Sequence, residues 1–311
     1  MDTNTNMDTR LLNYSATSFP AKLIQAGLCH RIKPLHATIY PTNSCNLKCP
    51  FCNCRSLKPD SLSWESAAGI VCMLQAVGTK AITLSGGGEP LAYSRINTLL
   101  DLIAHEGLEC GIITNGTYLQ DLYPESFRSV AWIRVSVSGY RDLNILDTIQ
   151  NANIPERITL GLRYITTDNN KNLRQFIAEA IARENIRYIY ITDDILKPNT
   201  EWLDFPEHPK VILEDKSEAE TMGCEDCRLG ILKPHFGADG YVYPCCLVGL
   251  AGSDASNVLN PRYRLCHWSD YPKLLAEQRT FNGGECTRCF YGKHNDVLRA
   301  CTADLKSPWF V

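Results

Sequence analysis

Two hydrophobic patterns alternate along most of this chain. Short apolar, β-branched runs predict buried strands, and segments whose apolar residues recur every three or four positions predict amphipathic helices. The predicted strands cover residues 37–41, 81–84, 110–114, 132–137, 159–165 and 188–192. The predicted helices cover residues 63–77, 96–103, 124–130, 143–152 and 173–184.

Six strand–helix units of this kind predict an α/β fold with a parallel sheet and its helices outside, either open or curved into a TIM-like barrel. Ligand sites of such folds lie at the carboxyl ends of the strands. The proline-containing run KPNTEWLDFPEHPK breaks the alternation after residue 196. We therefore predict an N-terminal extension (1–35), the α/β domain (36–196), a linker (197–222) and a small cysteine-rich domain (223–311).

The composition is that of a globular protein rather than a disordered or membrane-spanning one. Of its 311 residues 44% are apolar, and the net charge is −3. No apolar run approaches the roughly 20 residues that span a bilayer, and no secretory signal is visible. The charge gives no sign of the basic surplus typical of nucleic-acid binders. We expect a cytoplasmic protein that does not associate with membranes.

Cysteine is the exception, with 15 residues, most of them in two groups. A chain in a reducing compartment that holds so many thiols is expected to bind metal. The first group is Cys45, Cys49 and Cys52, whose three thiolates are one short of a structural zinc site. Three cysteines on an iron–sulfur cubane leave one iron open for a cofactor or substrate. Cys54 as a fourth ligand, or a loop without metal, are the alternatives.

This CxxxCxxC loop after the first strand, with Phe51 before its last cysteine, resembles the signature of the radical S-adenosylmethionine (radical SAM) superfamily. The GGGEP segment after the second strand resembles the superfamily's GGE motif. The resemblance implies a partial (β/α)6 barrel, with a 4Fe–4S cluster on Cys45, Cys49 and Cys52. It also implies that SAM binds through residues Gly86, Gly87, Gly88 and Glu89, which hold its amino group.

Other cofactor contacts follow from the same resemblance. Thr114-Asn115-Gly116 after the third strand is similar to a TNG-type turn near the cofactor, which adds Asn115 to the SAM-binding set. Arg134, Ser136 and Ser138 occupy the strand that often contacts the ribose, and we expect Ser136 and Ser138 to do so, with serine hydroxyls satisfied inside the core as the alternative. Arg163 is expected to meet the cofactor's carboxylate, with a plain salt bridge as the alternative. Residues 190–193 fall where adenine contacts lie.

The second group of cysteines resembles the auxiliary-cluster region called SPASM, or its shorter twitch form. The order CxxG, GxxxxC and CxxC implies one auxiliary 4Fe–4S cluster on Cys227, Cys245, Cys286 and Cys289. A zinc ribbon built from the pairs Cys224/Cys227 and Cys286/Cys289 is the alternative from spacing alone. The roles of four further cysteines stay open: Cys224, Cys246, Cys266 and Cys301. We interpret three others as small buried apolar residues: Cys29, Cys72 and Cys110.

The resemblance implies reductive cleavage of SAM to a 5′-deoxyadenosyl radical that abstracts a hydrogen atom from a substrate. The auxiliary cluster would accept an electron, which favours dehydrogenase-like oxidation of a small molecule. Modification of a peptide, by epimerisation or crosslinking, or of a nucleoside or base, is the alternative within the superfamily. A zinc or iron–sulfur binding module without turnover is the alternative outside it. A reducing partner such as flavodoxin or ferredoxin is implied.

Overall fold

A computed structural model describes residues 31–138, 144–167, 170, 173–197, 207–214, 223–251 and 254–302. Its strands are β1 (His36–Ile39), β2 (Ala81–Leu84), β3 (Glu109–Thr114), β4 (Val130–Ser138), β5 (Thr159–Thr166), β6 (Ile186–Asp193), β7 (Val211–Glu214), β8 (His235–Phe236), β9 (Tyr241–Tyr243) and β10 (Cys266–His267). Its α-helices are α1 (Trp64–Ala76), α2 (Ile96–His105), α3 (Ile145–Gln150), α4 (Leu173–Ala182), α5 (Leu229–Leu232), α6 (Tyr271–Glu277) and α7 (Gly292–Thr302).

All ten strands belong to one sheet, in the order β10-β9-β8-β1-β2-β3-β4-β5-β6-β7. Strands β1 to β7 run parallel to their neighbours, and β8 lies parallel to β1 on its other side. Only the β8–β9–β10 meander is antiparallel. The predicted α/β class with a parallel sheet is confirmed, and it matches the partial barrel that the resemblance implied.

The two faces of the sheet differ in chemistry because side chains alternate along each strand. On one face, apolar residues such as Ile39, Leu84 and Val135 join the helices in a single buried core. On the opposite face, the same strands carry Thr38, Thr83 and Arg134 among other polar residues. A polar inner face on a parallel sheet provides room for a polar ligand rather than for a second layer of helices.

Two elements differ from the sequence expectation. The predicted helix at 124–130 is a single 3-10 turn, Pro124–Phe127, because β4 already begins at Val130 and leaves no room for further turns. Within the predicted linker, Val211–Glu214 forms β7 and extends the sheet past β6. The predicted domain boundaries stay a prediction. The positions of α1, α2 and α4 and of the strands β1 to β6 agree with the hydrophobic pattern to within a few residues.

Two glycines make room for large rings on the inner face. A Cβ atom on Gly111 would lie 2.1 Å from the Trp132 ring, and one on Gly161 would lie 2.1 Å from the Tyr188 ring. Arg134 sits among aromatic rings, its Cζ 5.5 Å from the Trp132 centroid and 5.9 Å from that of Tyr188. Its Nε also donates to the Tyr188 hydroxyl at 3.2 Å. Arg134 therefore belongs to the packing of the sheet's interior.

In the described part of the chain, no helix combines the length and the apolar character that crossing a membrane requires.

We expect Gly161→Ala to destabilise the fold by about 1–3 kcal/mol, because its new methyl group overlaps the Tyr188 ring in a packed interior. Urea unfolding followed by circular dichroism measures the change. Gly284→Ala is the matched control, since its Cβ would approach only the flexible side chain of Asn282. Equal midpoints for wild type and Gly161→Ala would contradict the described packing.

Candidate active site and cysteine groups

The first cysteine loop, residues 45–52, leaves the sheet directly after β1 and is closed at its base by a short bridge. Thr42 pairs with Ser61 across the loop, and their hydroxyl groups lie 2.7 Å apart. Within the loop, the Cys52 amide donates to the Cys49 carbonyl at 3.1 Å. Burial raises the pKa of the Cys52 thiol, and the nearby Cys45 adds to that increase. The Cys45 and Cys52 thiols therefore lie near each other.

The glycine turn, residues 86–88, lies against the base of this loop. The Gly88 amide donates to the Thr42 carbonyl at 3.3 Å, and the Glu89 amide donates to the Ser44 carbonyl at 2.9 Å. A Cβ atom on Gly88 would lie 2.0 Å from the Ser44 carbonyl oxygen. Only glycine permits this approach of two backbones. The structure thus brings the first cysteine loop and the glycine turn together.

Glu89 ties the same turn to the end of β3. Its carboxylate is 2% exposed and accepts hydrogen bonds from the Thr114 hydroxyl at 2.6 Å and the Asn115 amide at 2.6 Å. It also accepts from the Leu91 amide at 3.0 Å. Glu89 therefore organises two turns through contacts within the chain. Its predicted contact with the amino group of SAM stays a prediction.

The Asn115 side chain reaches back to the first cysteine loop. Its Nδ2 donates to Asn46 Oδ1 at 2.9 Å and lies 3.8 Å from Cys45 Sγ. A hydrogen bond to a sulfur is one means by which proteins adjust the potential of an iron–sulfur cluster. The turn after β3 therefore completes one edge of the site, as expected from parallel strands whose carboxyl ends meet.

The predicted ribose and carboxylate contacts share the inner face of neighbouring strands. Ser136 on β4 is directly opposite Arg163 on β5, and Ser138 is opposite Ile165. Ser138 is buried, and its hydroxyl has no hydrogen-bond partner among the described residues; the same holds for Arg163 Nε and Asn43 Oδ1. Burial lowers the pKa of Arg163, whereas the nearby Glu214 carboxylate raises it.

These residues fit a ligand that carries both an ammonium and a carboxylate group. Buried polar atoms without a partner are uncommon in folded proteins and indicate a missing ligand or water. Here Ser138 and Arg163 lie on the inner face of the sheet, and Asn43 lies against the glycine turn. Asn43 was not selected from the sequence. It stands directly before the cysteine loop, and a Cβ atom on Gly87 would lie 2.1 Å from its Oδ1.

Cys54 differs from the three cysteines of the loop in its burial. It is 6% exposed, and its Sγ contacts Asn53 Oδ1 at 3.7 Å. Burial raises the pKa of its thiol, and the hydroxyl of Tyr40 forms a hydrogen bond with it. Cys54 is buried whereas Cys45, Cys49 and Cys52 are exposed or partly buried, and this difference favours the three-cysteine loop over a four-cysteine one.

The second cysteine group consists of the four predicted auxiliary ligands and Cys224. Burial raises the pKa of Cys245, and the neighbouring Cys246, Cys286 and Cys289 contribute to that increase. A hydrogen bond with Cys224 raises the pKa of Cys227, and Cys245 adds to it. The same hydrogen bond lowers the pKa of Cys224 to about 6. The structure therefore brings all five thiols into one region.

The remaining cysteines have different surroundings. Cys266 on β10 neighbours Arg279 and Asp270, and burial raises its pKa to about 11. Cys246 Sγ lies 4.0 Å from the Tyr291 hydroxyl. Cys110 is buried, as predicted. The prediction for Cys72 was wrong: Cys72 follows the buried Val71 in sequence but lies off the apolar face of α1, and it is exposed. Cys29 and the Cys301 side chain lie outside the described residues.

Within the described residues, no three histidine, cysteine, aspartate or glutamate side chains are arranged to hold a single metal ion. Such an arrangement is what a lone ion such as zinc needs. The cysteines of a cubane instead bind separate irons of the cluster.

A second apolar core includes residues next to the first cysteine loop and residues of the second cysteine group. Tyr40, Cys54 and Tyr243 are buried in it, with Cys52 and Cys245 packed against it among others. The Tyr40 ring stands edge-on to His235 of β8, with centroids 4.1 Å apart. Cysteines of both groups therefore border the same apolar core.

Comparisons with known proteins agree with this geometry. Residues 39–189 match the family model of the Radical SAM superfamily. The chain is 24% identical over 257 residues to the sporulation killing factor maturation protein SkfB of Bacillus subtilis (strain 168), across 70% of this chain and 61% of that protein. This chain thus spans less than two thirds of the length of that relative.

Two solved structures share the fold. SuiB of Streptococcus suis bound to precursor peptide SuiA superposes with a TM-score of 0.51 at 17% identity, covering 84% of this chain and 71% of SuiB. Native anSMEcpe with bound AdoMet superposes with a TM-score of 0.53 at 14% identity, covering 78% of this chain and 81% of that one. Residues 39–189 of this chain therefore form a radical SAM domain, and the cofactors of that superfamily are a 4Fe–4S cluster and SAM.

We expect Glu89→Gln to weaken SAM binding by about tenfold or more. An amide in place of the carboxylate turns an N–H group toward the Asn115 amide or the Thr114 hydroxyl, and an unsatisfied buried donor costs about 1–3 kcal/mol. Anaerobic equilibrium dialysis with SAM measures the affinity. Glu65→Gln, an exposed carboxylate in the first turn of α1, is the control. Unchanged affinity at equal iron content would refute the organising role of Glu89.

We expect Cys227→Ser to lose about four irons per chain after anaerobic reconstitution and Cys224→Ser to keep them, because one cubane takes four cysteines. Iron and acid-labile sulfide assays on the two variants measure this difference. The opposite result would place Cys224 in the ligand set in place of Cys227.

Proposed function

We propose that this radical SAM protein modifies a peptide, at a site between the first cysteine loop and the second cysteine group. The observation that carries the proposal is the direct backbone contact between the cysteine loop and the glycine turn, with Gly88 against Ser44. It supports a site that binds a cluster and SAM side by side. The peptide substrate rests on likeness to a protein named for maturation of a killing factor and to one solved with a precursor peptide.

When bound, the 4Fe–4S cluster and SAM supply one-electron cleavage of SAM and a 5′-deoxyadenosyl radical that removes a hydrogen atom from the substrate. The residues of the chain hold and shield these groups. In this proposal Cys45, Cys49 and Cys52 bind the cluster and leave one iron open. The glycine turn exposes backbone groups toward the amino group of SAM.

The carboxylate of SAM meets Arg163 in this proposal, and Ser136 and Ser138 contact the ribose. A buried guanidinium needs an anion. The Glu214 carboxylate lies near Arg163, while Arg134 adds a second positive charge there. An incoming carboxylate would offset that excess. Enclosure of the site by the second apolar core excludes water from the reacting groups.

The second cysteine group would hold one auxiliary 4Fe–4S cluster on Cys227, Cys245, Cys286 and Cys289. Its distance from the first loop is fixed by the continuous sheet, since β8 pairs with β1. An auxiliary cluster at that position can accept an electron from a substrate radical. Oxidation of a small molecule uses the same arrangement and is the competing proposal for the substrate.

We expect Cys49→Ala to abolish 5′-deoxyadenosine formation under a strong reductant without substrate, because the first cluster is lost. Cys227→Ala should retain most of this uncoupled activity, because the auxiliary cluster does not contact SAM in the proposal. Liquid chromatography with mass detection measures the product. Equal 5′-deoxyadenosine from Cys49→Ala and wild type would exclude the catalytic assignment of the loop.

The class of substrate can be tested with a cell extract from the source organism grown in D₂O. We expect deuterium to enter 5′-deoxyadenosine when the peptide fraction of that extract is added, because the radical takes deuterium from the substrate carbon. Prior digestion of the fraction with a nonspecific protease should remove the signal. Deuterium transfer from the small-molecule fraction that survives protease treatment would favour the competing proposal.

A further inference from the structure

The helix α7 carries an asparagine that is completely buried. Asn295 is 0% exposed, although it lies in the interior of this helix, Gly292–Thr302. Asparagine is a poor helix former, and burial of its amide is costly unless hydrogen bonds replace those lost to water. The contacts of Asn295 therefore show what its burial achieves.

The main chain holds the Asn295 side chain in one orientation. Its Oδ1 accepts a hydrogen bond from the Arg228 amide at 2.7 Å. Because an amide oxygen accepts and an amide nitrogen donates, this contact fixes which end of the side chain is Nδ2. Nδ2 donates to the Tyr291 carbonyl at 3.1 Å and to Cys227 Sγ at 3.6 Å. Both N–H groups of Nδ2 are thus used, and one is directed at a predicted cluster ligand.

The predicted auxiliary ligands also receive hydrogen bonds from the main chain. A backbone amide faces the sulfur of each one, with Leu229 at Cys227, Leu247 at Cys245, Gly249 at Cys286 and Tyr291 at Cys289. Amide groups directed at the sulfurs fit an iron–sulfur cluster, because a metal-bound thiolate accepts hydrogen bonds and does not donate them. Asn295 gives Cys227 a second donor, and this one belongs to a side chain.

We propose that Asn295 is a positioning residue that raises the reduction potential of the auxiliary 4Fe–4S cluster through the hydrogen bond from its Nδ2 to the Cys227 sulfur. The proposal rests on the proposed function, because it requires that cluster on Cys227, and it adds a residue that adjusts how readily the cluster accepts an electron. In that step the substrate radical loses one electron and the cluster gains one. No bond to the cluster forms or breaks.

The direction of the effect follows from charge. Reduction adds a negative charge that the cluster shares with its thiolates, and hydrogen bonds to an anionic acceptor are stronger than those to a less charged one. The Asn295 N–H group therefore stabilises the reduced cluster more than the oxidised cluster. Loss of this donor should lower the potential, because hydrogen bonds to the sulfurs are among the factors that set it.

The test compares Asn295→Asp and Asn295→Leu with wild type, all as the full chain after anaerobic reconstitution. Asp keeps an oxygen for the Arg228 amide and replaces the Nδ2 donor with an acceptor, whereas Leu removes both contacts. A redox titration followed by electron paramagnetic resonance measures the potential of the auxiliary cluster. Added SAM identifies the first cluster, because its binding to the open iron changes that signal, and the unchanged signal is the one titrated.

We expect the equilibrium constant for reduction of the auxiliary cluster to fall about tenfold in both variants, which is about 59 mV toward lower potential for one electron. Asn97→Leu is the matched control on α2. Asn97 Oδ1 accepts from the Tyr123 amide at 3.0 Å and its Nδ2 donates to the Asp121 carbonyl at 3.1 Å, without a hydrogen bond to sulfur among the described residues. This control should keep the wild-type potential.

A wild-type potential in both Asn295 variants would overturn the proposal. A lower potential in Asn295→Leu alone would also overturn it, because the effect would then come from the lost anchor to the Arg228 amide. A lower potential in Asn295→Asp alone would overturn it as well, because the added charge would then be the cause.

If Asn295→Leu loses the auxiliary irons, Asn295→Ala takes its place as the neutral variant that adds no bulk. Loss of those irons from both neutral variants, with Asn97→Leu intact, would show that Asn295 serves assembly and would overturn its effect on the potential. If wild type shows no second iron–sulfur signal, the proposed auxiliary cluster itself fails, and that outcome is distinct from a failure of the role of Asn295.

Discussion

The Glu89 carboxylate and the glycine turn before it hold the ends of three strands in one place. Backbone hydrogen bonds from Gly88 and Glu89 reach the loop after β1, and the Glu89 side chain reaches the turn after β3. A carboxylate buried to this degree is stable only when its oxygens are satisfied by donors, as they are here. The cysteine loop, the glycine turn and Asn115 therefore form one site rather than three separate loops.

Continuity of the sheet imposes a second constraint. Because β8 pairs with β1, the cysteine-rich half of the chain is joined to the strand that leads into the first cysteine loop. The Tyr40 ring packs against His235 from that half, and Tyr40 shares a core with Cys54. The two groups of thiols are thus held at a fixed separation by main-chain hydrogen bonds, so a substrate placed between them would face both.

Local patterns in the sequence were sufficient for the parts of the fold that depend on local chemistry. The alternation of apolar residues predicted β1 to β6 and most helices, because burial of one face follows directly from residue spacing. Pairing of β8 with β1 was not predictable in this way, because it joins residues far apart in sequence. The strand β7 was missed because it follows the proline-containing run that was interpreted as a linker. The 3-10 turn at Pro124–Phe127 likewise depends on where β4 begins.

The residues of the candidate site were likewise predictable only in part from the sequence. The cysteine loop and the GGGEP segment were visible as motifs, and the structure brings them into contact. Asn43 and Tyr40 were missed because a single asparagine or tyrosine carries no spacing signal. Cys224 was visible through its spacing to Cys227, but only the structure puts it beside Cys286.

The most direct test of this account is the content of iron, acid-labile sulfide and zinc after anaerobic reconstitution. We predict about eight irons per chain in the intact protein and about four in a Cys45→Ala/Cys49→Ala/Cys52→Ala variant, with Cys54→Ser unchanged from the intact protein. About four irons together with tightly bound zinc in the intact protein would contradict the account, because the second cysteine group would then be a structural zinc site without redox capacity.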